Sequence, residues 1–209
     1  MSGLFITFEG GDGSGKSTQS ALLSEWLESR GRQVVHAREP GGTDLGLEIR
    51  HLVQHRRGHV APRAEALLYA ADRAHNIATV VRPALEAGAV VVQDRYLDSS
   101  VAYQGAGREL DPDEVRDISL WATDGLIPDL TILLDLDPSI GRARLDGRPP
   151  EQQVYDRLEE EGGDFPSRVR AAYLELAAAE PGRFLVLDAT LPADELAARI
   201  RERVSALLD

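Results

Sequence analysis

The run Gly10-Gly11-Asp12-Gly13-Ser14-Gly15-Lys16-Ser17 limits what this chain can fold into more than any other stretch of it. It fits G-x-x-x-x-G-K-[ST], and its flanks supply the context that pattern needs. Before it, Leu4–Glu9 (LFITFE) is apolar, rich in β-formers and cut off by glycine, which predicts a buried strand. After it, residues 17–30 place Ala21, Leu22, Trp26 and Leu27 at helical spacing, and Gly31 stands where a helix C-terminus favours glycine. In such a strand–loop–helix unit the glycines let successive backbone N–H groups turn inward around an anion, and the helix N-terminus adds positive potential. Lys16 then reaches the β/γ-phosphates of a nucleotide, and the Ser17 hydroxyl ligates Mg²⁺. Of the 23 basic residues 22 are arginine, and Lys16 is the single lysine.

The remainder alternates in the same way. Val34–Ala37, Ala89–Val92, Thr131–Leu136 and Phe184–Leu187 read as short buried strands. Between them lie helical patterns: about residues 45 to 53, then Pro62 to Ala87 with a bend expected at Pro83, then a helix opened by Asp111-Pro112-Asp113-Glu114 and ending near Gly125. Three more start at Pro138, Pro166 and Pro192, the last with Leu196, Ile200, Val204 and Leu207 along one side. Apolar strands alternating with helices imply a parallel sheet covered on both faces, so the expected class is α/β, a three-layer P-loop NTPase fold. The expected organisation is one domain, 1–209, with the phosphate loop at 10–17 and a mobile lid at about 142–164, where prolines, glycines and charges crowd together.

The chain carries 23 basic and 35 acidic residues, a net charge of −12, so its summed field repels a nucleic-acid backbone or an anionic membrane. Any phosphate ligand is therefore expected to be held by a local site. With no cysteine, disulfide frameworks and thiol nucleophiles are excluded, and the composition suits a reducing cytoplasm. The start MSGLFITFEGGDG lacks a basic segment followed by an apolar one, and no stretch approaches 18 uninterrupted apolar residues. Neither secretion, membrane spanning nor nucleic-acid binding is expected, and a cytoplasmic location is.

Val90–Asp94 ends an apolar strand in an acid, the form of a carboxylate serving the Mg²⁺ site at the carboxyl end of a parallel strand. Thr131–Asp135 has the same form, but only Asp94 is followed by an arginine, Arg95, a fixed cation suited to an anionic acceptor. Four arginines inside the expected lid, Arg142, Arg144, Arg148 and Arg157, read either as a solvated charged face or as cations closing over the γ-phosphoryl group. Gly13, at the centre of the phosphate loop, can supply no charge of its own.

FEGGDGSGKSTQ, REPGGT, LLYAADRAHNI and DRYLDSSVAYQG, in this order and at these separations, closely resemble the bacterial thymidylate kinases, and DLTILLDLDPSIGRARL and DRLE are similar to that family's later strand and lid. The resemblance covers nearly the whole chain. It implies a nucleoside-monophosphate kinase fold with a five-stranded parallel sheet, a homodimer, and the reaction ATP + dTMP → ADP + dTDP with Mg²⁺ accompanying ATP. On the ATP side it implies Gly10, Gly11, Asp12, Gly13, Ser14, Gly15, Lys16, Ser17 and Thr18, with Ala189 in the adenine-side loop. On the dTMP side it implies that Tyr69 stacks on thymine, that Arg73 hydrogen-bonds the base edge, and that Arg95, with Arg50 and Arg38, holds the acceptor phosphate. Asp12 is implied near the sugar hydroxyl and acceptor, and Glu39, followed by Pro40, near the acceptor and metal. Ser99, Ser100, Tyr103 and Gln104 are implied as the wall around sugar and base. Spacing alone reads Tyr69 as a half-buried helix aromatic, Arg73 as a surface arginine and Asp12-Gly13 as a turn pair. The stretch after Arg144 departs from the family in Pro149-Pro150 and in its acidity, and the cations chosen for the γ-phosphoryl group are Arg148 and Arg142.

The implied chemistry is in-line transfer between two anions. A monophosphate acceptor has a second pKa near 6, is largely a dianion at pH 7, and needs no general base. Catalysis would rest on alignment and charge, supplied by Lys16, Arg95, a lid arginine, and Mg²⁺ held through Ser17 and Asp94. Two other readings stay open: a P-loop kinase for another nucleotide or for a nucleoside, whose hydroxyl acceptor would need a base such as Glu39, and a nucleotide-dependent switch ATPase.

Overall fold

The computed structural model describes residues 3–56, 58–108, 110–147, 149 and 162–208. Five strands, β1 (Leu4–Glu9), β2 (Val34–Arg38), β3 (Val90–Asp94), β4 (Leu130–Asp135) and β5 (Phe184–Asp188), form one parallel sheet in the order β2-β3-β1-β4-β5. The order reverses at β1, flanked by β3 and β4, and in open α/β sheets that switch point is where ligands bind, beyond the carboxyl ends of the strands.

Both faces are covered. On one, α1 (Lys16–Ser29) and α9 (Ala193–Leu208) bury Leu23, Leu27, Leu196, Ile200 and Val204 against Ile6, Phe8, Val92 and Ile132. On the other lie α3 (Pro62–Asn76), α5 (Leu97–Ser100), α6 (Pro112–Ala122) and α8 (Phe165–Ala179), packing Tyr69, Tyr173 and Leu97, with Ile77 just after α3, over Phe5, Val91 and Leu133. The uniformly apolar strands thus have the cause expected of them, burial on two sides.

The expected elements form, with local differences. Thr43 caps α2 (Asp44–Arg50) by accepting from the Gly46 N–H, and a π-helical turn over His51–His55 extends it. The irregularity expected at Pro83 lies just before it, in a π-helical turn over Ile77–Val81 that joins α3 to α4 (Arg82–Glu86). Asp111 and Asp137 cap α6 and α7 (Pro138–Asp146), each with proline in the first turn. The helical character of residues 97–107, an α-turn running into a π-helical stretch, was not anticipated from DRYLDSSVAYQG. Most of the expected lid, with Arg148 and Arg157, lies outside the described residues.

Candidate active site

Lys16, Ser17 and Thr18 open a cleft of about 580 Å³ that is also lined by Arg38, Glu39, Pro40, Arg50, Tyr69, Arg73, Asp94, Arg95, Ser99, Ser100, Tyr103 and Gln104. Residues from five separate stretches of sequence therefore face one space.

The phosphate loop is built by backbone. Gly10, Gly13 and Gly15 have φ of 132°, 75° and 96°, the left-handed range in which a side chain is strained. At Gly13 there is also no room, since a Cβ would stand 2.5 Å from the Gly141 carbonyl oxygen of α7. The loop is thus seated directly on α7, and its lack of a basic residue there has a steric cause. Lys16 is buried and donates to the carbonyls of Gly10 and Gly11 at 3.0 and 2.9 Å, so its ammonium is folded back over the loop. Burial, and Arg95 nearby, pull its pKa below the ordinary lysine value, against Asp12, Asp94 and Glu9.

The rest of the lining is a network of side chains. Arg73, 1% exposed, donates from Nε to Glu39 Oε2 at 2.8 Å, from Nη1 to Ser119 Oγ at 2.9 Å, and from Nη2 to the Tyr96 carbonyl and Ser100 Oγ, both at 3.1 Å. The reading of Arg73 as a surface arginine is corrected: its apolar neighbours and four acceptors hold it inside the wall. Tyr69, 7% exposed, is likewise buried rather than half-buried. Glu39 Oε1 accepts from Gln93 Nε2 at 2.9 Å and Asn76 Nδ2 at 3.3 Å, so both of its oxygens are engaged by protein donors. Burial, with Asp72's charge, pushes the Glu39 carboxyl up to about 7 despite Arg73, Asn76 and Gln93.

Arg95 pairs with Asp12 at 2.5 Å and lies over the Tyr103 ring at 5.0 Å. Burial opposes its charge, but Tyr103, Asp12, Tyr173 and Asp94 outweigh that and raise its pKa. For Asp12 burial pushes upward, and the Arg95 and Lys16 cations overcome it, leaving a carboxyl below the usual range. Asp12 is therefore more than half of a turn pair. Arg38 and Arg50 are braced on the REPGGT turn, donating to the carbonyls of Gly41 at 3.1 Å and Pro40 at 2.9 Å. Gln104 donates to the buried Glu65 at 3.0 Å.

The metal-side expectation can be tested on one atom. Asp94 Oδ1 is buried without a hydrogen-bond partner, in the same cleft as Ser17. A carboxylate and a hydroxyl, completed by phosphate oxygens and water, form the hard oxygen donor set that Mg²⁺ takes, so these residues fit the ion.

The structure does not bring Arg142 to this cleft. It faces a smaller cavity of about 100 Å³ behind Gly10 and Gly11 and pairs with Asp146 at 3.0 Å, half exposed. The α7 arginine that does meet the phosphate loop is Arg144, which donates to the Gly13 carbonyl at 3.2 Å and the Ala189 carbonyl at 2.9 Å. Ala189 itself is 2% exposed and meets Arg144 through its backbone. Arg148 falls outside the described residues.

Sequence reasoning missed Asn76, Gln93 and Ser119, which support Arg73 and Glu39. Gln93 did carry a signal: it is a polar residue inside the apolar run Val90–Asp94, and a buried strand holds one only where it is satisfied.

The family model described as thymidylate kinase matches residues 8–200. A thymidylate kinase of Clavibacter sepedonicus is 68% identical over 208 residues, covering 100% of this chain and 97% of that protein. One of Leifsonia xyli subsp. xyli is 70% identical over 202 residues, covering 97% and 94%. The solved thymidylate kinase from Ehrlichia chaffeensis superposes with a TM-score of 0.78 at 29% identity, covering 98% of this chain and 99% of that one.

Proposed function

The chain belongs to the thymidylate kinase family and is a phosphotransferase acting on a nucleoside monophosphate, and from that premise we propose that its cleft moves the γ-phosphoryl group of ATP to dTMP, giving ADP and dTDP for dTTP synthesis. The observation that carries this reading is the shared cleft itself. A lysine-bearing phosphate loop and the guanidinium groups of Arg38, Arg50 and Arg95 line one space, as two anions need if they are to be held together.

ATP binds with its phosphates on the N–H groups of residues 10–17. Lys16 leaves the Gly10 and Gly11 carbonyls for the β/γ-phosphates, and Arg144 ties the loop to the adenine-side segment at Ala189. Ser17 and Asp94 would hold the Mg²⁺ that comes with ATP, and the ion would supply neutralisation of the phosphate charge. Arg95 holds the acceptor phosphate, with Arg50 and Arg38 beside it. Asp12 restrains the Arg95 guanidinium until that anion arrives and lies next to the sugar hydroxyl. Tyr69 packs on thymine, the remaining Nη1 hydrogen of Arg73 is available to the base edge, and Ser100, Tyr103 and Gln104 close the wall around base and sugar. No proton has to be removed from a dianionic phosphate.

A nucleoside acceptor is disfavoured by a specific observation. Glu39, the base such a reaction would call on, has both oxygens taken by Arg73, Asn76 and Gln93. The protein works as a single domain in the cytoplasm. It pairs with a second copy through the apolar surface of α2, α3 and α6, where Leu45, Leu47, Leu67 and Trp121 are exposed, the last at 85%.

ADP formation with Mg-ATP against dTMP, dUMP, UMP, dCMP and thymidine at matched concentrations tests the reading. A strong rate with dTMP alone is expected. An equal rate with another monophosphate would remove the roles of Tyr69 and Arg73, and no acceptor-dependent rate would overturn the proposal.

A further inference from the structure

Glu9, the last residue of β1, is fully buried yet lines no part of the cleft. A carboxylate in such a place must be compensated by donors. Oε1 accepts the Tyr96 N–H at 2.7 Å, and Oε2 accepts the Ser99 hydroxyl at 2.6 Å and the Tyr173 hydroxyl at 2.8 Å.

The three donors have Arg95 in common. Tyr96 follows it in the chain, while Ser99 Oγ and Tyr173 Oη accept from Arg95 Nη1 at 3.3 and 3.4 Å. Arg95 has φ of 66°, in the left-handed region that a non-glycine residue keeps only where its surroundings over-determine it. Among the described residues the other such case is Asp124, whose side chain is solvent-exposed. At Arg95 the surroundings are explicit. Its N–H donates to the Phe8 carbonyl at 3.0 Å, its carbonyl accepts from Gln93 Nε2 at 3.0 Å, and the next N–H is locked on Glu9.

We propose that Glu9 is a positioning residue for dTMP phosphorylation: by holding the Tyr96 N–H and the Ser99 and Tyr173 hydroxyls at once, it fixes the left-handed turn at Arg95 and aims the guanidinium at the acceptor phosphate. The inference rests on the reading of Arg95 given above. A glutamine at position 9 keeps the volume but presents one acceptor and one donor to three groups that all donate to the ionised carboxylate, the form compared when the kinetics are run at pH 8. Either orientation forces a conflict with the Tyr96 N–H or turns the two hydroxyls that receive Arg95.

The test is steady-state kinetics on four proteins: wild type, Glu9→Gln, Arg95→Ala and the double variant. Glu9→Gln is expected to lower kcat/KM for dTMP about tenfold or more while KM for ATP stays within about twofold. In the Arg95→Ala background the same change is expected to alter kcat/KM for dTMP by less than about twofold, because the group it positions is gone. Tyr173→Phe, which removes one donor and leaves the Tyr96 clamp intact, should give a smaller loss, about threefold, again confined to dTMP, and decides the matter if Glu9→Gln does not fold. Equal losses in both backgrounds, an equal rise in KM for ATP, or a folded variant with unchanged dTMP kinetics would overturn the inference. Should Arg95→Ala alone leave dTMP kinetics intact, the reading of Arg95 fails first and this inference with it; a loss from Arg95→Ala with none from Glu9→Gln would overturn the inference alone.

Discussion

On the donor side of the cleft an anion meets backbone, from residues 10–17, with no side chain possible at Gly13 and with Arg144 arriving from α7. On the acceptor side it meets side chains that hold one another: Arg73 on Glu39, Ser100 and Ser119, Glu39 on Gln93 and Asn76, and Arg95 on Asp12. The difference follows from what each side recognises. Phosphate groups are alike in every nucleotide, so N–H groups fixed by glycine geometry suffice. A particular base and sugar must be told from close relatives, and buried side chains locked by mutual hydrogen bonds give the sharper discrimination because a wrong ligand leaves them unpaired.

The largest effects should come from two cations of the cleft, Lys16 on the phosphate loop and Arg95 beside Asp12. Lys16→Ala and Arg95→Ala are each expected to lower kcat by on the order of 10²-fold or more; single-turnover rates check this, and a near-normal rate in either would break the pairing of the two sides. Gly13→Ala probes the backbone side alone. Its Cβ would meet the Gly141 carbonyl at 2.5 Å in a residue whose φ is 75°, so KM for ATP should rise about tenfold and Tm fall by several degrees, with KM for dTMP little changed.

The acceptor side also carries a pH signature that a backbone cradle lacks. Burial, and then Asp98's charge, push the Glu9 carboxyl from its ordinary 4.5 up to about 7. The folded protein thus holds this proton more tightly than the unfolded chain, so the contribution to stability is complete below about pH 4.5 and is lost as pH rises through 7. Thermal unfolding of wild type and Glu9→Gln should show their Tm difference shifting by a few degrees in favour of the variant between pH 5 and 8. The smallest effect is expected at Arg142, which faces the cavity behind the loop: Arg142→Ala should change kcat and both KM values by less than about twofold.

The two sides were also unequally legible in the sequence. The phosphate loop was readable because glycine spacing and a strand–helix context directly encode backbone geometry, and the parallel sheet because two-sided burial leaves uniformly apolar strands such as Val90–Val92. The acceptor wall was not readable from spacing. Arg73 looks like a surface arginine on a helix until Glu39, distant by 34 positions, and Ser119, distant by 46, are folded against it. The resemblance named the residues of that wall; of the partners that fix them, Glu9 and Asn76 lie inside the quoted motifs and Gln93 just before one, but nothing in the spacing says which side chain each of them holds. Which α7 arginine, Arg142 or Arg144, meets the phosphate loop was illegible for a related reason. Both lie on α7, and which one reaches the loop depends on the contact between Gly13 and Gly141, which no periodicity encodes.

The most direct test of a cleft whose two sides are built differently, one of backbone and one of interlocked side chains, is to measure KM for ATP and for dTMP side by side in Arg144→Ala and Glu39→Gln. Crossed selectivity is predicted: Arg144→Ala raises KM for ATP several-fold and leaves dTMP within about twofold, while Glu39→Gln, by loosening Arg73, raises KM for dTMP about tenfold and leaves ATP unchanged. A variant that raised both constants together would contradict the account.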